Sequence, residues 1–449
     1  MKIALILALG FLPIGAQDPG ISLNDAVRLA LEKNKSLEAA TAASKAADKR
    51  ISEARSGFLP KVNYSESWTR SDNPVFVFSS LLTQKQFGEQ NFQIGPLNNP
   101  NFLNNFQSQL TADQVLYDAR QTRRAVRSAE LAKDITNEDG RRTQMEVIAS
   151  VIRAYYDSLL SSDQLNATSQ AMRSAQADLD RAQAVRTAGM STDADTLSIR
   201  VHLASVREQQ IRREADVDVA RAALNDAIGL PLDTPHTLTT VLVPLDLPEG
   251  SLAEQQKTAI EQRPEARQMK LATSLAETQA ANARSSMLPQ VSLHGAYEAD
   301  RQRFATMGGD NWLVSIGLRW NLFNGFGDKA RIEESKFVQQ RSSAEEARTD
   351  SAIRLQVHRA YADVHAATQR IEVAKASVAE AEESLRITQN RYEAGFSNVT
   401  DLLRTETAVL EARTRHLAAV RDQRVAAAML ELAAGTLTPD SSVLDKGTR

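Results

Sequence analysis

The sequence consists of two copies of one unit, and this duplication restricts the possible folds more than any other feature of the chain. A helix-capping pattern that begins at Ser22 recurs at Ser251, 229 positions later. Gly189 recurs as Gly395 at the shorter offset of 206 positions. Several other landmarks keep one of these two offsets, so chance agreement is a poor explanation. The fold must contain two similar halves, and the first half has 23 additional residues between positions 60 and 116.

Each copy contains one very long helical run. These runs cover residues 119–187 and 330–393 and are rich in Ala, Arg, Glu and Gln. At 1.5 Å per residue such a helix would measure roughly 100 Å, which no ordinary globular domain requires. Leucines spaced by seven positions indicate a coiled-coil seam at Leu403, Leu410 and Leu417. Taken alone, the helices would also fit a soluble antiparallel coiled coil.

Four segments of alternating polarity argue against a purely helical protein. Strands are predicted at about 61–70, 106–116, 290–299 and 311–322. In the last of these, Trp312 and Trp320 share the apolar face and lie roughly 26 Å apart at about 3.3 Å per residue. Outer-membrane barrels carry an apolar band of about 25 Å between two aromatic girdles, so both tryptophans are predicted to face lipid. Glu66 interrupts the apolar face of the first strand.

The number of strands implies an oligomer. Four strands with an apolar outer face cannot close a barrel, and open strand edges are not tolerated in lipid. After the N-terminal segment no apolar run reaches 18 residues, so we expect strands rather than helices to enter the bilayer. The sequence therefore predicts association through the strands.

The N-terminus predicts export, and the composition excludes several classes of function. Residues 1–16 show the charged, apolar and small-residue order of a secretory signal peptide. The chain has no cysteine, which excludes disulfides, thiol nucleophiles and Cys-ligated metals. A net charge of -3 gives no preference for nucleic acid. No catalytic triad, paired-carboxylate pocket or P-loop is visible, so we expect neither an enzyme nor a cofactor.

Two motifs have simpler explanations than a ligand site. Gly325-Phe-Gly327 imitates a dinucleotide fingerprint, but the helix that follows is predicted to run for some 65 residues instead of returning to a parallel strand. The glycines fit a strand-to-helix corner. His358 and His365 lack a third metal ligand at suitable spacing, and we expect them on a solvated or tunnel-lining face.

The order of elements and one local motif resemble a known family. The most specific stretch is Arg391-Tyr392-Glu-Ala-Gly395 followed by Asp401-Leu-Leu403. From residue 21 to residue 435 the chain resembles the TolC-type outer membrane efflux protein (OEP) family. The resemblance implies a mainly α protein with a membrane β-barrel contribution. Its homotrimer would place one twelve-stranded barrel in the outer membrane, above a long α-helical barrel in the periplasm. It also implies a periplasmic adaptor (membrane fusion) protein and an inner-membrane transporter as partners.

The repeats and the resemblance together give the expected organisation. The segments are a signal peptide (1–16), a first repeat (17–229), a linker or equatorial segment (230–250), a second repeat (251–435) and a flexible C-terminal tail (436–449). Helical tips are expected at 187–192 and 393–398. An extracellular loop is expected at 71–105, either ordered with a plugging role or simply solvated.

The resemblance also assigns roles to residues near the tips. Adaptor contacts would lie at the tip turns, which contain Gly189, Met190, Ser191, Gly395, Phe396 and Ser397. Asp195, Asp401 and Tyr392 would surround a periplasmic aperture, where three chains would gather six carboxylates. Acids in a first helical turn also complement the helix dipole, which explains both aspartates equally well. Ser397 and Arg404 depart from the family pattern, so we expect a weaker latch and a partly neutralised ring.

These features predict a passive outer membrane exit duct for small molecules or ions, located in the outer membrane with a long periplasmic portion. The alternative is the outer membrane component of a type I protein secretion system, which would share nearly every feature. A diffusion porin would have more strands per chain and no such helices. A soluble periplasmic scaffold would lack the apolar face that contains Trp312 and Trp320.

Overall fold

The computed structural model describes residues 20–187, 192–246, 250–306 and 308–444. The predicted signal peptide and the tip residues Gly189, Met190 and Ser191 lie outside these residues. The chain divides into two compact units. The helical unit contains the residues up to 42, 138–267 and those from 347 onward, and the strand unit contains 43–137 and 268–346.

Helices account for most of the described chain. They are α1 (Leu23–Lys33), α2 (Lys35–Arg55), α3 (Pro74–Thr83), α4 (Ile94–Asn98), α5 (Gln121–Thr187), α6 (Asp193–Ile228), α7 (Leu252–Gln262), α8 (Pro264–Ser285), α9 (Gly327–Glu393) and α10 (Val399–Ala434). The strands are β1 (Gly20–Ile21), β2 (Lys61–Ser71), β3 (Leu103–Tyr117), β4 (Thr237–Leu238), β5 (Gln290–Arg301) and β6 (Gly309–Arg319). The two long helices, α5 and α9, contain 67 residues each. Within the described residues, none of the helices combines the length and the apolar character needed to cross a membrane.

The core of the helical unit holds the linker segment in place. Buried side chains of α1, α5, α6 and α10 form this core. The Tyr155 hydroxyl donates to the Ile21 carbonyl at 2.9 Å, next to the short parallel pairing of β1 with β4. The side-chain amide of Gln423 accepts a hydrogen bond from Leu245 N at 2.9 Å and donates one to Leu245 O at 3.1 Å. Gln423 thus satisfies an extended backbone segment as a neighbouring strand would.

The C-terminal tail, predicted to be flexible from residue 436, is packed as far as Leu444. Leu437, Val443 and Leu444 are all at most 4% exposed and join the core of the helical unit. The prediction was wrong for this part because three apolar side chains offset the entropy lost when a short segment is ordered. Residues 445–449 lie outside the described chain.

The same joint occurs once in each repeat, at the end of a return helix. α6 ends at Gly229 with φ +87°, and α10 ends at Gly435 with φ +76°. A Cβ at Gly229 would lie 2.9 Å from the Lys33 carbonyl oxygen, where α1 meets α2. A Cβ at Gly435 would lie 2.8 Å from Arg263 N, where α7 meets α8. Both glycines therefore combine a left-handed backbone with close packing.

The buried stripe of α10 lies one position away from the predicted leucine seam. Leu402 and Val409 are 1% and 7% exposed, whereas Leu403 and Leu410 are only half-buried. Both series have a spacing of seven, so the sequence pattern gave the right period and the wrong phase.

The strand unit contains an antiparallel sheet in the order β2-β3-β5-β6. The register aligns Tyr64, Leu110, Tyr297 and Trp312 in one row across all four strands. The sheet thus carries a row of three aromatic side chains and one leucine across its apolar face. β6 ends at Arg319, so Trp320 lies beyond the strand, and its indole N–H donates to the Met287 carbonyl at 3.0 Å.

The hydrogen-bond partners of Glu66 explain its exception to the alternating pattern. Glu66 stands in the next row beyond the aromatic row, where it pairs with Ser108. Arg301 NH2 donates to Glu66 Oε1 at 2.9 Å, and the Ser108 and Tyr64 hydroxyls also donate to this carboxylate. The carboxylate therefore lies between Tyr64 and Trp68 on this face and is engaged by an arginine and two hydroxyl donors.

The segment between β2 and β3 is ordered and docks on the polar face of the sheet. It contains α3 and α4, and Asn73 caps α3 by accepting from Val75 N at 3.0 Å. Beyond α3, the Gln84 amide donates to Asn105 Oδ1 at 2.8 Å, and the Asn105 amide donates to Asp300 Oδ1 at 2.6 Å. Lys85 forms an ion pair with Asp310 at 2.7 Å. These contacts connect the segment to β3, β5 and β6.

The glycine joints give a first testable prediction. Gly229→Ala should lower the thermal unfolding midpoint more than Gly395→Ala, because both residues have positive φ but only Gly229 is crowded by Lys33. The backbone strain shared by both variants is about 1–2 kcal/mol. Circular dichroism of the purified protein during heating would measure the difference. Equal shifts in the two variants would contradict the packing argument.

The docked segment gives a second prediction. Gln84→Ala removes the donor to Asn105 Oδ1, and leaving a buried acceptor unpaired costs about 1–3 kcal/mol. We expect faster limited proteolysis within residues 72–102, with the cut sites identified by mass spectrometry. Ser79→Ala is the matched control, because Ser79 is exposed and bonds only within α3. Cleavage of the Gln84 variant at the wild-type rate would show that these bonds do not hold the segment.

Candidate functional site

The two faces of the sheet differ in chemistry. The apolar face leaves large side chains uncovered: Trp312 is 78% exposed, Ile316 69% and Leu318 66%. The opposite face is polar, with His294 Nδ1 at 2.7 Å from Asp113 Oδ1 and the Gln107 amide donating to Glu298 at 2.7 Å. A sheet of this kind suits a boundary between lipid and water.

The outer strands of the sheet are open. Within the described residues, β2 pairs only with β3 and β6 pairs only with β5. Each therefore presents one row of backbone donors and acceptors to a further strand.

The tip between α9 and α10 is a tight, exposed turn. The amide of Gly395 donates to the Tyr392 carbonyl at 3.0 Å, and the amide of Phe396 donates to the Arg391 carbonyl at 2.8 Å. Gly395 has φ +77° with open space around it, and Phe396 is 77% exposed. This αL ending satisfies the last carbonyls of α9 and leaves an aromatic ring in solvent.

Both predicted aperture carboxylates take part in helix capping. Asp195 accepts from the Thr192 hydroxyl at 2.8 Å in a reciprocal capping box at the start of α6. Asp401 accepts from the Ser397 hydroxyl at 3.3 Å, and its amide donates to Asn398 at 2.8 Å. Both acids therefore make the contacts typical of residues at a helix start, as the helix-dipole explanation expects.

Tyr392 is placed among the helices that meet beside the tip. Its ring packs against a buried cluster formed by Leu179, Ala182, Ile199 and Val399. Burial raises the pKa of the Tyr392 hydroxyl, and the nearby charges of Asp195 and Asp178 raise it further. The structure thus brings Tyr392 and Asp195 into one electrostatic neighbourhood, whereas Asp401 bonds to its own turn.

A second group of titratable residues beside this cluster was missed by sequence reasoning. His202 Nε2 lies 3.4 Å from Glu406 Oε2, joining α6 to α10. Asp178 on α5 is 8% exposed, and burial followed by hydrogen bonding to Glu406 raises its pKa to about 7. Burial opposes ionisation of Glu406, but bonds with His202 and Asp178 still hold its pKa below the ordinary value.

A signal for this group was present in the sequence. The spacing of coiled-coil core positions occurs at Ala171, Ala175, Asp178 and Ala182. An acidic residue is unusual at such a position when the others are small and apolar. His202 similarly lies between the buried Ile199 and Val206.

The other sequence candidates lie on exposed surfaces. His358 and His365 are exposed on α9, and the His365 ring contacts Tyr361 with 4.5 Å between centroids. No group of three His, Asp or Glu side chains among the described residues could hold a metal ion. Gly325 and Phe326 both have positive φ in the corner between β6 and α9.

The chain is similar in sequence to several known bacterial proteins. "Protein CyaE" of Bordetella pertussis is 28% identical over 330 residues, which cover 72% of this chain and 69% of the relative. The "Alkaline protease secretion protein AprF" of Pseudomonas aeruginosa is 24% identical over 435 residues, covering 93% and 85%. The "Pyoverdine export outer membrane protein OpmQ" of Pseudomonas putida is 24% identical over 401 residues, covering 87% and 81%.

The fold of this chain also resembles a solved structure, and a family profile matches its sequence. The Campylobacter jejuni CmeC outer membrane channel has a TM-score of 0.78 at 16% identity and covers 99% of this chain and 96% of its own. The profile described as outer membrane efflux protein matches residues 26–230 and 256–436, which together make up most of both repeats. The chain belongs to the outer membrane efflux protein (OEP) family.

Proposed function

We propose that this protein is the passive exit duct of a tripartite efflux system, through which small molecules or ions leave the cell. The protein is an outer membrane channel that works as a homotrimer with an adaptor protein and an inner-membrane pump, and it is not an enzyme. The observation that carries the proposal is the four-stranded sheet with one apolar face, one polar face and two open edges.

The sheet explains how the duct forms. Three copies of the four strands supply twelve strands, and pairing β6 of one copy with β2 of the next leaves no edge exposed to lipid. The apolar face, with Trp312 and Trp320 near its two ends, then meets lipid. The polar face, with Asp113, His294 and Glu298, lines the water-filled interior.

The tips are proposed as the adaptor contact. Gly395, Phe396 and Ser397 form an exposed turn, and the ring of Phe396 is an apolar anchor that a partner could bury. The repeat places Gly189, Met190 and Ser191 at the corresponding turn of the first copy.

Secreted proteins are a second candidate cargo class, and one specific observation favours it. A relative named for alkaline protease secretion and a relative named for pyoverdine export have the same identity to this chain, 24%. Type I protein secretion is therefore the alternative to small-molecule efflux.

Deleting the gene from its host separates the two cargo classes. If the proposal holds, the deletion strain accumulates fluorescent efflux substrates severalfold more than the complemented strain, and its secreted proteins are unchanged. Loss of specific proteins from the medium with normal dye accumulation would support the secretion alternative and overturn the efflux assignment. The adaptor that copurifies with the cross-linked trimer should belong to the corresponding pump type.

We further propose that Asp195, Asp401 and Tyr392 form the periplasmic aperture. Trimeric symmetry would gather six carboxylates around the opening and create a local negative potential that attracts cations. Tyr392 already packs where α5, α6 and α10 meet, and its neighbourhood includes Asp195. Family members often carry a basic residue that holds the aperture closed, and this chain has Ser397 at that position. We therefore expect the closed aperture to be less stable here.

Planar-bilayer recording tests this aperture. Replacing both Asp195 and Asp401 with Asn should raise the concentration of a trivalent cation needed for half block from the periplasmic side by severalfold. Asp193→Asn is the matched control, because Asp193 lies in the same first turn but pairs with Arg186 at 3.0 Å. Tyr392→Phe should raise the resting conductance. Unchanged block in the double variant would return both acids to an ordinary capping role.

A further inference from the structure

We propose that Asp178, Glu406 and His202 form a proton-dependent clamp that holds α5 and α6 against α10 beside the tip and loosens as the pH rises. The clamp would regulate opening of the duct at its periplasmic end. It rests on the proposed function in one respect, namely that the tip is the entrance.

The three side chains occupy core positions of the helix packing. Asp178 lies between Ala175 and Ala182, which are 0% and 3% exposed. Glu406 follows Leu402 on the buried stripe of α10, and its side chain is 12% exposed. The side chain of His202 is 16% exposed. Core positions of a coiled coil usually hold apolar residues, and burying an acid or an imidazole there costs free energy unless the group is paired.

The partners make this packing sensitive to protons. With a proton on Asp178, the acid donates to the Glu406 carboxylate, and His202 faces the same carboxylate from α6 at 3.4 Å. Loss of that proton leaves two negative carboxylates side by side in a mostly buried place. Two like charges in a buried pair repel strongly because water screens them poorly.

The remaining charged neighbours do not remove this repulsion. Arg181 NH1 lies 3.8 Å from Asp178 but only 2.6 Å from Glu393 of α9, so its charge is shared with a nearer acid. Tyr392, also of α9, faces Asp178 as a neutral hydroxyl with a raised pKa. Two acids from neighbouring helices and one shared guanidinium thus surround Asp178.

The sign of the pH effect follows from the Asp178 carboxyl. Its pKa is about 7 in the packed arrangement, against 3.8 as its ordinary value. A raised pKa means that packing is favoured at low pH, is progressively weakened as pH rises from 3.8 through about 7, and changes little once the carboxyl has lost its proton in both arrangements. For a pKa of 7, moving from pH 6 to pH 8 shifts the equilibrium toward the loosened arrangement by about tenfold per chain.

The location connects this shift to the entrance. Asp178 precedes Leu179 and lies one helical turn before Ala182, and both are part of the buried cluster against which Tyr392 packs. Loosening α5 from α10 here therefore frees the side chains that hold the tip helices together. The duct would therefore close more tightly when the solution around its tip is acidic.

Reconstituted trimer in planar bilayers tests the clamp between pH 5.5 and pH 8.5. We expect wild-type open probability to rise severalfold over this interval, and Asp178→Asn to flatten the response. Glu406→Gln removes the neighbouring charge and should move the midpoint to lower pH. Asp180→Asn is the matched control, because Asp180 is exposed on the same helix and accepts only from Gln176.

A spectroscopic readout keeps the test independent of channel opening. Infrared difference spectra of the wild type should show a protonated carboxyl band that titrates near pH 7 and is absent in Asp178→Asn. A wild-type conductance that does not change with pH, or an Asp178→Asn variant with the wild-type pH response, would overturn the clamp. Absence of any conductance in all variants would instead count against the proposed duct.

Discussion

The open edges of β2 and β6 are the constraint on which the assembly depends. In the bilayer core an unpaired backbone group has no water to bond, and each such group costs several kcal/mol. A four-stranded sheet with two open edges is therefore not a finished membrane structure. The trimer completes the backbone hydrogen bonding of every copy. This makes association part of folding for the strand unit, and it explains how so few strands per chain can serve a channel.

The two repeats build the same joint with different side chains. At Gly229 the neighbouring break between α1 and α2 is held by Asn34, whose amide donates to the Ala227 carbonyl at 2.9 Å. At Gly435 the break between α7 and α8 is held by Arg263, which bonds Glu265 at 2.7 Å and Gln356 at 2.6 Å. The positive φ and the close approach are retained in both. Backbone geometry at this joint is thus the shared requirement, and more than one chemistry meets it.

The sequence predicted the fold best where a period or a repeated landmark carried the information. Strands β2 and β5 were placed within two residues at either end, because alternation ends where the backbone turns. β6 was extended too far since Trp320 and Leu322 continue the apolar alternation after the backbone has left the sheet. The seam of α10 had the right period but the wrong phase, because adjacent leucines at 402 and 403 give no preference between two faces until the partner helices are known.

The tip region marks the limit of such reasoning. Capping residues such as Asp195 can be read locally, since their partners lie three positions away. The group of Asp178, Glu406 and His202 draws on three helices that are far apart in sequence, so its members look like isolated exceptions until they meet. A single polar residue in a helix seam can fix register at some cost in stability. Two carboxyls and an imidazole that meet at the same height along the helices do more than fix the register. Their mutual stabilisation depends on a bound proton, which exchanges with solvent. An alanine at residue 178 would hold α5 against α10 equally well at every pH, and only a titratable core makes that packing conditional.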